Sequence, residues 1–431
     1  MIINKAVKEF FELNLKFPYG EGHLEAELPS DTVVLRSADA QAIEDLEKKL
    51  IHLLDFQESG RILRSKRLLI LIPDNTRAFP TNVILPILLE HIEKMNPEAE
   101  VKILIATGLH RPVSRDEIRE LVGNGISKSY EILNHSASDE DQLIKLNKKT
   151  SFGTPIEVNR LIFESDFVIG LGLIEPHLFA GYSGGRKIIL PGVAGRNAIF
   201  NNHGFKMIAN PWARAGILER NPIHRDMVEF MQETRLDLIV NVTLNKKRKI
   251  TGLFIGDPIK AHLDGVKHLD KFAKIPFKKE ADIVLTTNGG YPLDRDIYQT
   301  IKGMDTAASV VRSGGVIIIA SECRDGLGGH EYFLKLAKGS NNPDEIVERI
   351  RKCEPIYDQW HAQILARILK KAKVILVSEL VSERLAKDFL LEYSRTLEDA
   401  LELAYTFLDE KEPRIIAIPE GPYIIPVKRN L

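Results

Sequence analysis

Apolar and polar positions along this chain follow two rhythms: a period of two in short runs, and a helical period in the stretches between them. Leu13, Leu15 and Phe17 alternate with polar residues before Tyr19-Gly20-Glu21-Gly22, and Leu24, Ala26 and Leu28 alternate after it, which predicts a hairpin. Ile43, Leu46, Leu50 and Leu53 then follow helical spacing. Beyond them the pattern predicts strand Leu68–Ile72, helix Asn82–Lys94, strand Val101–Ala106, helix Arg115–Val122, strand Asp166–Leu171 and a helix near Asn197–Phe205. A second alternation follows the polar stretch His262–Lys279, with strands at Ile283–Thr286, Val316–Ala320, Val374–Val377 and Ile415–Pro419. Strands that alternate with helices imply α/β architecture with mostly parallel, doubly wound, Rossmann-like sheets. The expectation is two such domains, residues 1–272 and 273–431, changing near Pro276, with a ligand in a crevice between them.

Composition narrows the class. The 431 residues suit roughly two to three domains, and 44% hydrophobic content is ordinary for a globular chain. Lys+Arg 59 against Asp+Glu 60 leaves a net charge of -1, which removes the electrostatic reason to expect nucleic acid or an anionic membrane as partner. Cys323 and Cys353 alone make neither a disulfide framework nor a tetrathiolate site, and they fit a reducing compartment. Charges in Met1–Glu9 occupy the place of a signal peptide's apolar stretch, and no apolar run reaches the ~18 residues of a membrane span. A soluble cytoplasmic protein is expected.

Chemistry gathers where strands end. Gly172-Leu-Ile-Glu175-Pro-His177 follows the run Phe167–Leu171, so His177 falls just past a strand's carboxyl end, where open α/β sheets place ligands. Thr107-Gly108-Leu109-His110 follows Val101–Ala106 in the same way. Two imidazoles at equivalent strand ends suit proton exchange on opposite faces of one substrate carbon, although a single histidine there is as readily structural. Asp74-Asn75-Thr76-Arg77, after Leu68–Ile72, is either an anion-binding loop or a turn with a surface ion pair. Ser183-Gly184-Gly185-Arg186-Lys187 has a phosphate cradle's composition without Walker A spacing; it also reads as a glycine turn entering a strand Ile188-Ile189-Leu190. Lys187 is a candidate covalent anchor and His203 a candidate ligand of a soft metal. Gln299 and Lys302, three apart on one helical face, suit a carboxylate and a hydroxyl, or simply solvent. Trp360 reads as pocket wall or core.

Together these blocks resemble the lactate racemase family of nickel-pincer-nucleotide enzymes, which invert 2-hydroxy acids. The resemblance spans nearly the whole chain through Asp74-Asn-Thr-Arg77, Thr107-Gly-Leu-His110, Glu175-Pro-His177, Ser183-Gly-Gly-Arg-Lys187, His203, and Asn288-Gly-Gly-Tyr-Pro with Gln299 and Lys302. It implies a racemase or epimerase with nickel held in pyridinium-3,5-bisthiocarboxylic acid mononucleotide. This cofactor is joined to Lys187, has His203 as protein ligand, and is loaded by cofactor-biosynthesis proteins. It implies His110 and His177 as acid/base residues, and Asp74, Asn75, Thr76, Arg77, Ser183, Gly184, Gly185 and Arg186 against the cofactor. Arg77, Gln299 and Lys302 would hold the substrate, with Tyr298 and Trp360 grouped beside them and the two halves closing over it. The 2-hydrogen would leave as hydride and return to the other face of a bound 2-keto acid. Leu109, Leu178, Tyr182 and Leu293 would select among lactate, longer aliphatic, aromatic, malate-like or sugar acids, with Arg111 available for a second carboxylate or a surface pair. Two other classes compete: a zinc or iron hydrolase using His110, His177, His203 and Asp74, and a non-catalytic nucleotide or sugar-phosphate binder.

Overall fold

The computed structural model describes residues 11–410 and 412–429. The charged Met1–Glu9 segment lies outside the described residues. Among these no helix is long and apolar enough to cross a membrane. The chain divides into two compact units, Asp39–Phe272 and a second made of the segments on either side of it.

In the contiguous unit a six-stranded sheet runs in the order Ile250–Gly256, Leu238–Leu244, Phe167–Leu173, Arg67–Pro73, Glu100–Ala106, Glu131–Asn134. All neighbours are parallel except the first pair. The central strands read as unbroken apolar runs because both faces are covered. Ile70, Ile72, Ile103, Ile105, Ile169 and Leu171 share one core with Ile84, Leu85 and Leu88 of helix Thr81–Met95. From Arg67–Pro73 the chain moves to one side through Glu100–Ala106 and later returns to the other side at Phe167–Leu173. That reversal puts a topological switch point at the carboxyl end of the central strand, where such sheets bind ligands.

The second unit holds another six-stranded sheet, Glu392–Ser394, Ala372–Val377, Val311–Ala320, Ala281–Thr287, Ile415–Ile418, Val33–Val34, parallel throughout. The expected first domain is corrected here, because the amino-terminal hairpin belongs to this unit. Its strands Phe11–Tyr19 and Gly22–Pro29 present Leu15, Phe17, Ala26 and Leu28 on one face, which packs on Ile283, Leu285, Ile318 and Ala417. The polar stretch His262–Lys279 forms a helix and a strand. Lys260–Ala273 is a helix that buries Ala261, His262 and Val266, and Lys274–Phe277 pairs with Ile425–Lys428.

Candidate active site

Three loops leave neighbouring strand ends at the switch point. Pro73 pairs with Ala106, so the loops Asp74–Arg77 and Thr107–His110 begin side by side. The buried Asp74 carboxylate binds His110 Nδ1 at 2.6 Å through Oδ2. Its Oδ1 accepts from the Thr76 hydroxyl at 2.6 Å and the Thr76 N–H at 3.2 Å. Burial pushes the Asp74 pKa up, but the opposing effects of His110, Arg77 and Thr76 prevail and hold it below the usual carboxylate value. A carboxylate on Nδ1 orients the half-exposed ring, leaving Nε2 as the edge for proton exchange. Asp74 was expected against a nucleotide; the structure engages both of its oxygens with His110 and Thr76. Asn75 and Arg111 both turn to Glu117, at 2.8 Å in each case, so they form a surface network.

Phe179, a spacer in the sequence motif, is the hub of the other loop. His177 meets its ring edge-on at 4.5 Å between centroids, His203 does so at 4.9 Å, and Lys187 Nζ lies 5.9 Å from its centre. Three residues singled out separately are thereby brought together. His177 Nδ1 accepts from the Ala180 N–H at 3.2 Å. Burial, with a contribution from Lys187, drives the His203 pKa well below its usual value, so the imidazole is neutral. A neutral nitrogen donor is what a metal requires of histidine.

The rest of the Ser183–Lys187 motif faces inward. The Ser183 hydroxyl donates to the Leu173 carbonyl at 2.7 Å and accepts from the Glu175 N–H at 2.9 Å. The Gly185 N–H donates to Asn241 Oδ1 at 2.7 Å. Arg186, fully buried, donates to the carbonyls of Ala180 at 2.8 Å and Tyr182 at 2.9 Å, and lies 3.0 Å from His262 Nε2. Burial lowers its pKa to about 9. These hydrogen bonds hold the loop from its inner side. Gly170 and Gly172 permit the close approach, since a Cβ would lie 2.8 Å from the Ile188 side chain and 2.9 Å from that of Asn241 respectively. Ile188, Ile189 and Leu190 are apolar because they are buried, and Gly185–Ile188 is a 3-10 turn, not the entry to a strand.

In the other unit, Gln299 and Lys302 occupy one half-buried face of helix Ile297–Ala308, whose amino end is capped by Asp296 accepting from the Gln299 N–H at 2.7 Å. Tyr298 is buried between the rings of His330, at 3.6 Å, and His361, at 3.8 Å. Its hydroxyl accepts from Trp360 Nε1 at 2.9 Å. Burial first, and Asp358 second, raise the Tyr298 pKa well above its usual value. Tyr298 and Trp360 therefore bind each other, and sequence reasoning missed His330, His361 and Asp358 around them. Of the expected selectivity residues, Leu178 and Tyr182 are buried, with the Tyr182 hydroxyl on Asp270, while Leu109 and Leu293 are half-buried.

Two imidazoles follow the strands on either side of Arg67–Pro73, one bound to a carboxylate and the other sharing Phe179 with a lysine and a buried neutral histidine, at the ligand-binding end of an α/β sheet. The Lactate racemase N-terminal domain matches residues 19–216 and the Lactate racemase C-terminal domain matches residues 277–425. The chain belongs to the lactate racemase family and is an isomerase. It is 38% identical over 429 residues to lactate racemase of Thermoanaerobacterium thermosaccharolyticum, covering 96% of this chain and 99% of the relative. It is 38% identical over 386 residues to that of Lactiplantibacillus plantarum, covering 89% and 90%. The lactate racemase apoprotein structure from T. thermosaccharolyticum superposes with a TM-score of 0.90 over 96% of this chain and 100% of that one. A Thermotoga maritima protein, 17% identical, shares the fold with a TM-score of 0.69 over 92% and 100%.

Proposed function

We propose that this enzyme racemises lactate or a close 2-hydroxy acid with a nickel-pincer nucleotide joined to Lys187. The observation that carries the reading is the grouping of His177, Lys187 and His203 around Phe179, in the same sheet-end region as the Asp74–His110 pair. Lactate is the substrate in the names of both 38% identical relatives. The residues fit the cofactor: Lys187 supplies an amine for covalent attachment and His203 a neutral nitrogen for nickel. Among the described residues no three His, Cys, Asp or Glu side chains are grouped to hold a metal ion, so a metal here depends on an organic ligand, which disfavours the zinc or iron hydrolase.

When bound, the cofactor supplies an acceptor for the substrate's C2 hydrogen as hydride. The side chains handle the protons. His110 Nε2 takes the hydroxyl proton on one face while Asp74 stabilises the imidazolium, and His177 exchanges the proton on the other. The strands that lead to them stand on either side of Arg67–Pro73, about 10 Å apart by ordinary strand spacing, which leaves room for a small substrate between. Arg77 is assigned to the substrate carboxylate, and Gln299 and Lys302 are assigned to substrate on the family resemblance. Loading calls for proteins that build the cofactor.

The test uses 2-deuterated lactate and the loaded enzyme in ordinary water. Product of inverted configuration should keep most of its deuterium, because hydride does not exchange with solvent. Washing out of the label during turnover would defeat the reading and favour deprotonation at carbon.

A further inference from the structure

A buried polar chain runs behind His203. Asn202, which ends helix Arg196–Asn202, places Oδ1 2.9 Å from His203 Nδ1. Its Nδ2 donates to Asp226 Oδ2 at 2.7 Å and to the Ile223 carbonyl at 3.2 Å. Asn202 and Asp226 are completely buried.

Every hydrogen in this chain has a determined direction. The Thr150 hydroxyl oxygen accepts from the Thr154 N–H at 3.1 Å and donates to Asp226 Oδ1 at 2.5 Å. The Thr154 hydroxyl oxygen accepts from Asn201 Nδ2 and donates to Asp226 Oδ2, each at 2.6 Å. Asp226 and the Ile223 carbonyl are thus acceptors toward Asn202, so only its NH2 group can face them. The carbonyl imposes this orientation whatever the charge on Asp226. Asn202 Oδ1 then faces His203, whose Nδ1 must carry the hydrogen.

We propose that Asn202, oriented by Asp226 and the Ile223 carbonyl, is a positioning residue that holds His203 in the Nδ1–H tautomer and so makes Nε2 the nitrogen offered to nickel. The inference rests on the reading of His203 as the metal ligand. It adds the outer hydrogen bond that sets which ring nitrogen can bind, a constraint that metal-binding histidines generally need. A contrast lies in the same unit. His135 Nε2 is 3.0 Å from the Ala194 carbonyl and its Nδ1 is 3.2 Å from Asn159 Nδ2, whose amide is oriented by Oδ1 accepting from the Leu161 N–H at 3.1 Å. That geometry requires the opposite tautomer.

Nitrogen NMR of histidine-labelled, cofactor-free protein tests the assignment directly. His203 should show a protonated Nδ1 and a bare Nε2, and His135 the reverse. Asn202→Leu should abolish the His203 preference while leaving His135 unchanged. In chain purified from a host that makes the cofactor, nickel retained against a chelator should fall by about 10-fold or more. Should that variant not fold, Asn202→Ala removes the same acceptor with a smaller side chain and should shift the tautomer balance in the same direction. Wild-type His203 in the Nε2–H form, or a folded variant of either kind that keeps the wild-type tautomer, would overturn the proposal. His203→Ala that kept its nickel would instead remove the ligand reading, and the tautomer result would stand apart from it.

Discussion

Asp74 can serve His110 only as an acceptor, which makes its substitution informative. Asp74→Asn should lower kcat by about 10²-fold or more with little change in KM, since an amide cannot stabilise the imidazolium; steady-state kinetics in both directions checks this. With the folded pKa of Asp74 depressed, the pair is fully in place above the ordinary carboxylate range and is lost as pH falls through the lowered value. Lys187→Arg should abolish any mass increment on that residue, because a guanidinium does not make the linkage, and intact-mass measurement reads the result. His110 and His177 were legible in the sequence because each follows a recognisable strand. The Asp74–His110 bond was not, because it depends on the register of two strands, which their separate apolar patterns do not encode. The burial of Arg186 was not legible for a different reason: a cation in a glycine-rich motif reads as a ligand group, and only the three-dimensional arrangement of the Ala180 and Tyr182 carbonyls accounts for it.

The Ser183–Lys187 turn and strand Phe167–Leu173 act as one element, since the turn lies on the strand where Gly170 and Gly172 remove side chains. Gly172→Ala would put a methyl 2.9 Å from Asn241 Nδ2 and 3.4 Å from the Gly184 Cα. A cost of about 1–3 kcal/mol is expected from such overpacking, together with a lower fraction of modified Lys187. Thermal melting and intact mass measure the two effects separately. Core strands were readable because sheets covered on both faces give continuous apolar runs. The same rule misassigned Ile188–Leu190, where a buried turn carries the composition of a strand.

At the scale of the whole molecule, histidines buried in the contiguous unit set its acid limit. Burial lowers His135 to about 4, and burial together with Arg186 lowers His262 to about 3 and His224 to about 2. Below the ordinary value of about 6.5 the unfolded chain takes up protons that the folded chain refuses, so stability rises with pH across this window and levels off above it. Each histidine contributes about 1.4 kcal/mol per pH unit, or about 4 kcal/mol per unit together between pH 6 and 4. Urea unfolding at pH 7.5 and 5.0 should show the loss, and equal stabilities at the two would contradict it. The placement of the hairpin has a consequence for synthesis. Asp39–Phe272 leaves the ribosome as an uninterrupted segment and has its whole sheet before the rest is made. Residues 11–38 precede it, yet their partners in Ala281–Thr287 and Ile415–Ile418 follow it. Translation halted ahead of Ala281 would therefore leave one unit with a complete sheet and, upstream of it, Leu15, Phe17, Ala26 and Leu28 still waiting for the surface that covers them.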